Sequence, residues 1–456
     1  MAAVGSTGRS MAEREPNLRL ADVMRRASCS NSGLAKRVSD VAQEHGVEVR
    51  CDHVNVKRWL SGTRPRGMTP HFIAEALSRK LGEPLTLAEV GMTPNDQGAL
   101  LSSPTYPERL SESVDVVVAL VRADLAGSST AGSGNLDPHS WSDLMIGWLV
   151  APDMTEATEG ATLTPSPAEA LARATSLFSE IDYRFGGGYA RSALVQFISS
   201  EVAPLLAERP LTSDLLRETS ALLRLTGWTA YDTGHHQLAH HYLTQALRLA
   251  QACGERALGG RILAGMSHQA NFLGYHNSAA NLARAARAGA TGVATPTGMA
   301  LFHAMEARAL AGRGDRRGCE LALVEADRWF AHRVPDDDPT WLRYFDEAEL
   351  AAEFAHSYRD LGFHNKAVEY AQIAIDNHDP MYARSIFFCR TVLAAGHLGK
   401  GEIEQALMCA ELVVTGSAAL RSDRSVAYLR DFVERLARYG TQREVADFIE
   451  RVGHSP

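Results

Sequence analysis

Four histidines at 235, 236, 240 and 241 form an HHxxxHH cluster. On a helix His236 and His240 share one face, a spacing that can hold a metal ion. Two related stretches point elsewhere. GHHQLA at 234, GYHNSA at 274 and GFHNKA at 362 put a histidine at 236, 276 and 364 in the same local frame. That recurrence makes His236 an element of a repeat, on a solvated or groove-lining helix face, and no metal or other cofactor is expected. Gly186-Gly187-Gly188 lacks both phosphate-loop spacings and follows no strand, so it reads as a loop or a close helix approach. Asp336-Asp337-Asp338 lies between Pro335 and Pro339 and reads as a loop. No Ser-His-Asp, Cys-His or paired-carboxylate setting fits a helical context, so the chain is not expected to be an enzyme.

The second chemistry is electrostatic. Net charge is −8, yet Asn17–Arg66 carries ten Lys/Arg against five Asp/Glu, leaving −13 on the remainder. A basic module on an acidic body suggests that a nucleic acid meets the N-terminal part. Within it, HVNVKRWL follows Asp52, a natural N-cap, and ends at Ser61-Gly62. Val56 and Trp59 are three apart and face inward. His53, Val54, Asn55, Lys57 and Arg58 are then candidates for a DNA groove or its phosphates. Asn suits adenine and Arg suits guanine or phosphate. Arg64 and Arg66 follow the helix and would fix register on the backbone.

Short helices must position that face. Leu18, Leu20, Val23 and Met24 give a first helix. Ser32 can cap a second with Leu34, Val38 and Val41 inside. Thr69-Pro70 opens a fourth that Gly82 ends. Further on, a frame of Gly, a small residue five later and another seven beyond recurs. It reads Gly234/Ala239/Ala246, Gly274/Ala279/Ala286, Gly314/Cys319/Ala326, Gly362/Ala367/Ala374 and Gly401/Ala406/Val413. Glycine can end one helix in the left-handed conformation, and the small residues let the next helix cross closely. One pair cannot bury its face, so copies stack. Gly188, Ala193 and Ser200 fit as a divergent first copy. Pro335–Pro339 accounts for the one longer step. No sustained alternating pattern predicts strands.

The fold class predicted is therefore all-α: a small helix-turn-helix domain, then an α-solenoid. The domains read as a disordered leader over 1–16, a DNA-binding domain over 17–92, a linker with one or two helices over 93–165, and a repeat body over 166–456. Within the linker, Glu108–Leu125 predicts a helix and Trp141–Leu149 a short apolar segment able to dock on the body. Hydrophobic content of 45% and charged content of 22% fit a soluble globular chain. No apolar run is long enough to span a bilayer, and no signal peptide is evident. Six cysteines without a CxxC pair fit a reducing cytoplasm and argue against zinc or a disulfide framework.

HVNVKRWLSGTRP resembles the third helix and following turn of the lambda-repressor-like, XRE-type helix-turn-helix family. That resemblance implies Asp52 as cap, with His53, Val54, Asn55 and Arg58 at the groove or phosphates. SDVAQEHGVEVRC is longer than that family's tight turn, so the second helix is extended or a loop replaces the turn. The G-x4-A-x6-A frame resembles tetratricopeptide repeats. The whole layout resembles actinobacterial regulators of the Nsd type, negative regulators of sporulation and antibiotic production. NVKRWLSGTRPRG, IDYRFGGGYARSAL, GWTAYDTGHHQLAHHYLTQALRLAQ, GMSHQA and YFDEAELAAEFA carry that likeness. It implies a repressor of secondary metabolism or development. One small module makes few phosphate contacts, so a cytoplasmic, nucleoid-associated homodimer on palindromic double-stranded DNA is expected. A small-molecule or peptide effector would sit in the repeat groove, and no membrane partner is implied. Groove candidates are Trp228, Tyr231, Asp232, His268, Gln269, Asn271, Tyr344 and Glu347. The alternative is a repeat scaffold acting through protein–protein contacts, its helix-turn-helix no longer reading DNA.

Overall fold

Each frame glycine does in the fold what its spacing predicts. In a computed structural model of the chain, Gly234, Gly274, Gly314, Gly362 and Gly401 all have positive φ, between 75° and 83°. The small residues that follow, from Ala239 and Ala246 to Ala406 and Val413, are buried. The structure describes residues 16–44, 49, 51–63, 65, 69–82, 85, 89–91, 106–127, 136–150, 155–158, 166–208, 210–417 and 419–453. The predicted leader up to residue 15, Arg64 and Arg66 lie outside them. All regular structure among the described residues is helical.

Two compact units divide the chain, residues 1–99 and 100–456. The first contains α1 (Leu18–Arg26), α2 (Asn31–Glu44), α3 (His53–Leu60) and α4 (Thr69–Leu81). Its core is Leu20, Val23, Leu34, Val38, Val41, Val56, Trp59, Ile73 and Leu77. The second helix starts earlier than the predicted Ser32 cap: the Gly33 amide donates to Ser30 Oγ at 3.1 Å. It runs to Glu44, so it is longer than a compact helix-turn-helix element needs. Gly62 and Gly82, with φ of 90° and 76°, end α3 and α4.

The second unit opens with α5 (Leu110–Leu125) and α6 (Pro138–Val150), then α7 (Pro167–Phe185) and α8 (Gly187–Phe197). A π-helical turn, Ile198–Val202, joins α8 to α9 (Ala203–Glu208). Five hairpins follow: α10 (Ser213–Asp232) with α11 (His236–Ala252), α12 (Arg256–Phe272) with α13 (His276–Gly289), α14 (Pro296–Gly312) with α15 (Arg316–Phe330), α16 (Glu347–Asp360) with α17 (His364–Asn377), and α18 (Ala383–Lys400) with α19 (Ile403–Ser417). α20 (Asp423–Leu436) and α21 (Arg443–Gly453) complete the unit. Helices within each hairpin pack along their length, and first helices of successive hairpins also touch. This is the predicted all-α solenoid.

The repeat histidines hold successive hairpins together. His236, His276 and His364 begin α11, α13 and α17. The His276 ring lies where a side chain on Gly312 would be, and the His364 ring where one on Gly399 would be. The His236 ring packs on Phe272, centroids 6.0 Å apart. Phe272, Gly312 and Gly399 each stand two residues before the next frame glycine. His236 is half-buried, and His240, on the same helix face, is fully buried, as is His241. His240 packs edge-on to Trp141, and its Nε2 is 3.1 Å from Ser140 Oγ.

Residues 106–127 and 136–150, expected as part of a linker, pack on the body, and α5 and α6 share its core. Val117, Leu120, Trp141 and Trp148 are buried in the same cluster as the repeat helices. Trp148 occupies a slot that side chains on Gly259 or Gly289 would fill. Ser113 Oγ donates to Gln245 at 2.6 Å, and Tyr242 OH to Asp124 at 2.9 Å. The apolar Trp141–Leu149 segment therefore docks as predicted, and α5 docks with it.

The glycine triplet is a closure point. Gly186 ends α7 at φ 86°, and Gly188 donates its amide to Arg421 O at 2.9 Å. Arg421 donates its own amide to Phe185 O at 2.8 Å. The junction of α7 and α8 is thus bonded to the segment before α20. A side chain at Gly186 or Gly188 would run into Arg421. The expected frame at Gly188, Ala193 and Ser200 does not hold. Ala193 and Ser200 are exposed, because α8 turns Ala190, Leu194 and Val195 inward instead.

Candidate functional site

The helix predicted to meet DNA is well fixed. Asp52 accepts from the Asn55 amide at 2.8 Å, and Asn55 Oδ1 accepts from the Asp52 amide at 3.0 Å. Such a reciprocal box satisfies two otherwise orphan donors of a helix start. Val56 and Trp59 are buried, as their spacing predicts. His53, Val54, Lys57 and Arg58 are exposed on the other face, Val54 by 41%. Asn55 is half-buried, and its Oδ1 is engaged in the cap. A bidentate contact to adenine by Asn55 would have to share or break that cap. Asn17 braces the helix end: its amide donates to Leu60 O at 2.9 Å, and its side chain donates to Val90 O and Gly91 O at 3.2 and 2.9 Å.

A second candidate site lies in the body. Six residues before Gly234, Gly274, Gly314 and Gly362 stand Trp228, His268, Arg308 and His356. All four line one chamber. Counting back another turn at a time along the same helix faces reaches Arg224, Arg261, Glu349, Glu353 and Arg384, which also line it. Helical spacing of three to four residues makes these one inward stripe on α10, α12, α14, α16 and α18. α7 contributes Asp182 and Tyr183, and α20 covers the stripe with Arg424 and Tyr428. This partly open chamber holds about 80 Å³. A larger groove of about 770 Å³ adjoins it and shares Tyr183, Arg224, Tyr344 and Tyr382. A third space of about 440 Å³ shares His268, Arg308 and Tyr428.

Of the predicted groove residues, Trp228, His268 and Tyr344 line the chamber, and Asn271 lines the third space. Asn271 Oδ1 is 2.7 Å from His276 Nδ1. Tyr231 does not line the groove: it is buried, and its hydroxyl lies 2.9 Å from His268 Nδ1. Asp232 and Gln269 are also buried, Gln269 donating to His236 O at 2.8 Å. Glu347 is exposed at the start of α16; Glu349, two residues on, is the chamber residue.

Charge in this chamber is unevenly balanced. Arg384 makes a bidentate pair with Asp182 at 2.7 Å and reaches Asp232 at 3.2 Å. Asp232 also accepts from the Gly187 amide and Ser422 Oγ, both at 2.9 Å, and meets Arg424 at 3.4 Å. This buried network joins α7, α10, α18 and α20 and backs the closure at Arg421. Arg424 is boxed by the rings of Trp228, Tyr231 and Phe388 at 4.7 to 5.1 Å. Arg308 pairs with Glu353 at 2.6 Å. Burial opposes that charge, yet the Glu353 carboxylate holds the guanidinium above its usual range.

Arg224 and Arg261 have no such partner. Among the described residues neither forms an ion pair or a side-chain hydrogen bond, and both Nε atoms are buried and unsatisfied. Arg261 lies over the Tyr344 ring at 4.9 Å. Burial, and then the charge of Arg261, push the Arg224 guanidinium down to about 10. The remaining chamber carboxyl, Glu349, is pushed up to about 8 by burial and by Glu353. His268 and His356 are held well below the usual histidine range by burial and by the surrounding arginines. The arginines escaped the sequence reading, although the frame glycines give the register that would have found them.

Among the described residues, no group of His, Cys, Asp and Glu is arranged to hold a metal ion, and no helix is long and apolar enough to cross a membrane. No curated protein matches the chain. Residues 20–93, which take in most of α1 and all of α2 to α4, match the SP15 N-terminal domain.

Proposed function

We propose that this chain is a sequence-specific DNA-binding transcriptional regulator. α3 reads the major groove, and the repeat body serves as dimerisation and effector domain. The observation that carries the reading is the exposed His53, Val54, Lys57 and Arg58 face on a helix locked by its capping box and by buried Val56 and Trp59. A locked helix with a polar outer face, on a module of net positive charge, is what groove insertion requires. Lys57 and Arg58 supply phosphate or guanine contacts, and His53 and Val54 meet base edges. One such module makes few phosphate contacts, so two linked copies on a palindromic site gain from effective concentration. The likeness to Nsd-type regulators makes repression of secondary metabolism or development the biological reading.

The test uses the full-length protein and fragmented genomic DNA from its host at fixed salt. Enrichment of fragments that share an inverted repeat, lost in Lys57→Ala with Arg58→Ala, is the expected outcome. Recovery of random fragments only, unchanged by those substitutions, would leave the scaffold reading in its place.

A further inference from the structure

The two unpartnered arginines give the effector a chemical class. We infer that the chamber of the repeat body binds a small organic anion, its carboxylate or phosphate held by Arg224 and Arg261 and its aromatic or apolar body lying in the adjoining groove. This rests on the effector-domain reading above and narrows it.

The argument starts from burial. Arg224 and Arg261 are 5% and 7% exposed, and each lines the chamber. A buried guanidinium without a carboxylate is costly, and two such groups in one chamber repel as well. The fold had carboxylates to offer, because Arg308 and Arg384 on the same stripe are paired with Glu353 and Asp182. Arg224 and Arg261 are the two left over: both line the chamber, with their Nε atoms buried and unsatisfied. Guanidinium groups recognise planar carboxylates and phosphates in a fork geometry, which explains why arginine stands here.

The shape sets the size. A space of about 80 Å³ fits an anionic head. Arg224 also lines the groove of about 770 Å³, whose walls include Ala221, Val293, Phe302, Trp341 and Tyr344. That volume falls in the range of small-molecule sites, and such sites combine apolar walls with a few polar anchors. Arg224 and Tyr344, shared by chamber and groove, join the site of the head to that of the body.

The experiment is calorimetry and thermal denaturation of the full-length protein with four probes: inorganic phosphate, benzoate, phenyl phosphate and benzyl alcohol. Benzoate or phenyl phosphate raises the melting temperature and binds measurably; benzyl alcohol, the same ring without the charge, does neither. Benzoate as the stronger probe marks a carboxylate ligand, and phenyl phosphate a phosphate ester. Arg261→Gln weakens binding at least tenfold, and Arg224→Lys, which keeps the charge, retains more affinity than Arg224→Gln. Arg443→Gln, exposed on α21 beside Asp447 at 3.8 Å and away from the chamber and groove, leaves binding unchanged. Equal responses to benzoate and benzyl alcohol would overturn the proposal. So would no response to any anion, or binding that survives both glutamine substitutions. DNA binding does not enter this readout, so its failure leaves the α3 reading intact, and failure of the DNA test leaves this one standing.

Discussion

Replacing Arg224 by methionine stabilises the protein, whereas the same replacement of Arg308 destabilises it. Both are buried arginines of the same chamber. They differ in their partners. Arg308 donates to Glu353 at 2.6 Å, and Arg224 has no acceptor among the described residues. The drop of Arg224 from 12.5 to about 10 corresponds to about 3 kcal/mol of strain in the charged folded form. At neutral pH the group is charged folded and unfolded, so that strain is fully present, and only a pH above 10 relieves it. Methionine keeps the apolar stem and removes the charge, so Arg224→Met gains roughly 1–3 kcal/mol after relaxation of the site. Arg308→Met leaves Glu353 buried and alone and costs about 3–5 kcal/mol. Urea unfolding followed by circular dichroism gives both values from the midpoints, with the slopes compared to confirm that the same structure unfolds. A loss of more than about 1 kcal/mol for Arg224→Met would refute the reasoning, since the charge would then be part of the structure and not free for a ligand.

Other perturbations test the architecture. Asp232→Ala leaves Arg384 and Arg424 short of a counter-ion and costs about 3–5 kcal/mol; a cost below about 1 kcal/mol, read from the urea midpoint, would mean that the closure at Arg421 holds without it. Gly289→Ala drives a methyl into Trp148 and costs about 1–3 kcal/mol, while Gly416→Ala, in open space on α19, does not destabilise; equal melting temperatures would show that α6 is not seated in that slot. Stability also falls with acid. His240 is pushed down to about 3 by burial, and burial lowers His236, His268, His303, His356 and His378 too. Below pH 6.5 the unfolded chain binds protons that the folded chain refuses, so stability present above 6.5 drains away as pH falls. His240 alone contributes a loss of about 1.4 kcal/mol by pH 5.5. Glu349 acts oppositely: held protonated up to about 8, it loses its contribution as pH rises from 4.5 through 8. Six histidines outweigh one glutamate, so urea midpoints drop from pH 7.5 to 5.5, and equal midpoints would contradict the burial of these rings.

The parts of the fold that were legible are those encoded locally. A glycine that ends a helix and alanines at crossing points act within about a dozen residues, so the hairpins could be placed from spacing alone. Asp52 with Val56 and Trp59 is equally local, and α3 emerged with its inner and outer faces as read. The rest depends on partners distant in sequence. Trp148 finds its slot at Gly259 and Gly289, and Phe185 finds Arg421. Nothing near either residue announces this, so residues 106–150 read as part of a linker and the glycine triplet as a loop or a close helix approach, with no partner named for it. The chamber is an intermediate case. Polar and aromatic residues were sought in the groove, and Trp228, His268 and Tyr344 do line the chamber, but the arginines beside them were not considered. Counting back from each frame glycine turns them into a single stripe, which converts an undirected guess at a face into a site with a charge.

The central claim is that α3 reads DNA, and the dependence of affinity on salt and sequence tests it most directly. Fluorescence anisotropy of the full-length protein on its most enriched fragment, against a scrambled duplex, is measured across a salt series. Specific binding at least a thousandfold tighter than to the scrambled duplex is predicted. Lys57→Ala is predicted to lower the salt slope by about one, and Arg58→Ala to lose about 1–3 kcal/mol on the specific site. Equal affinity for both duplexes, with slope and affinity untouched by either substitution, would contradict the account.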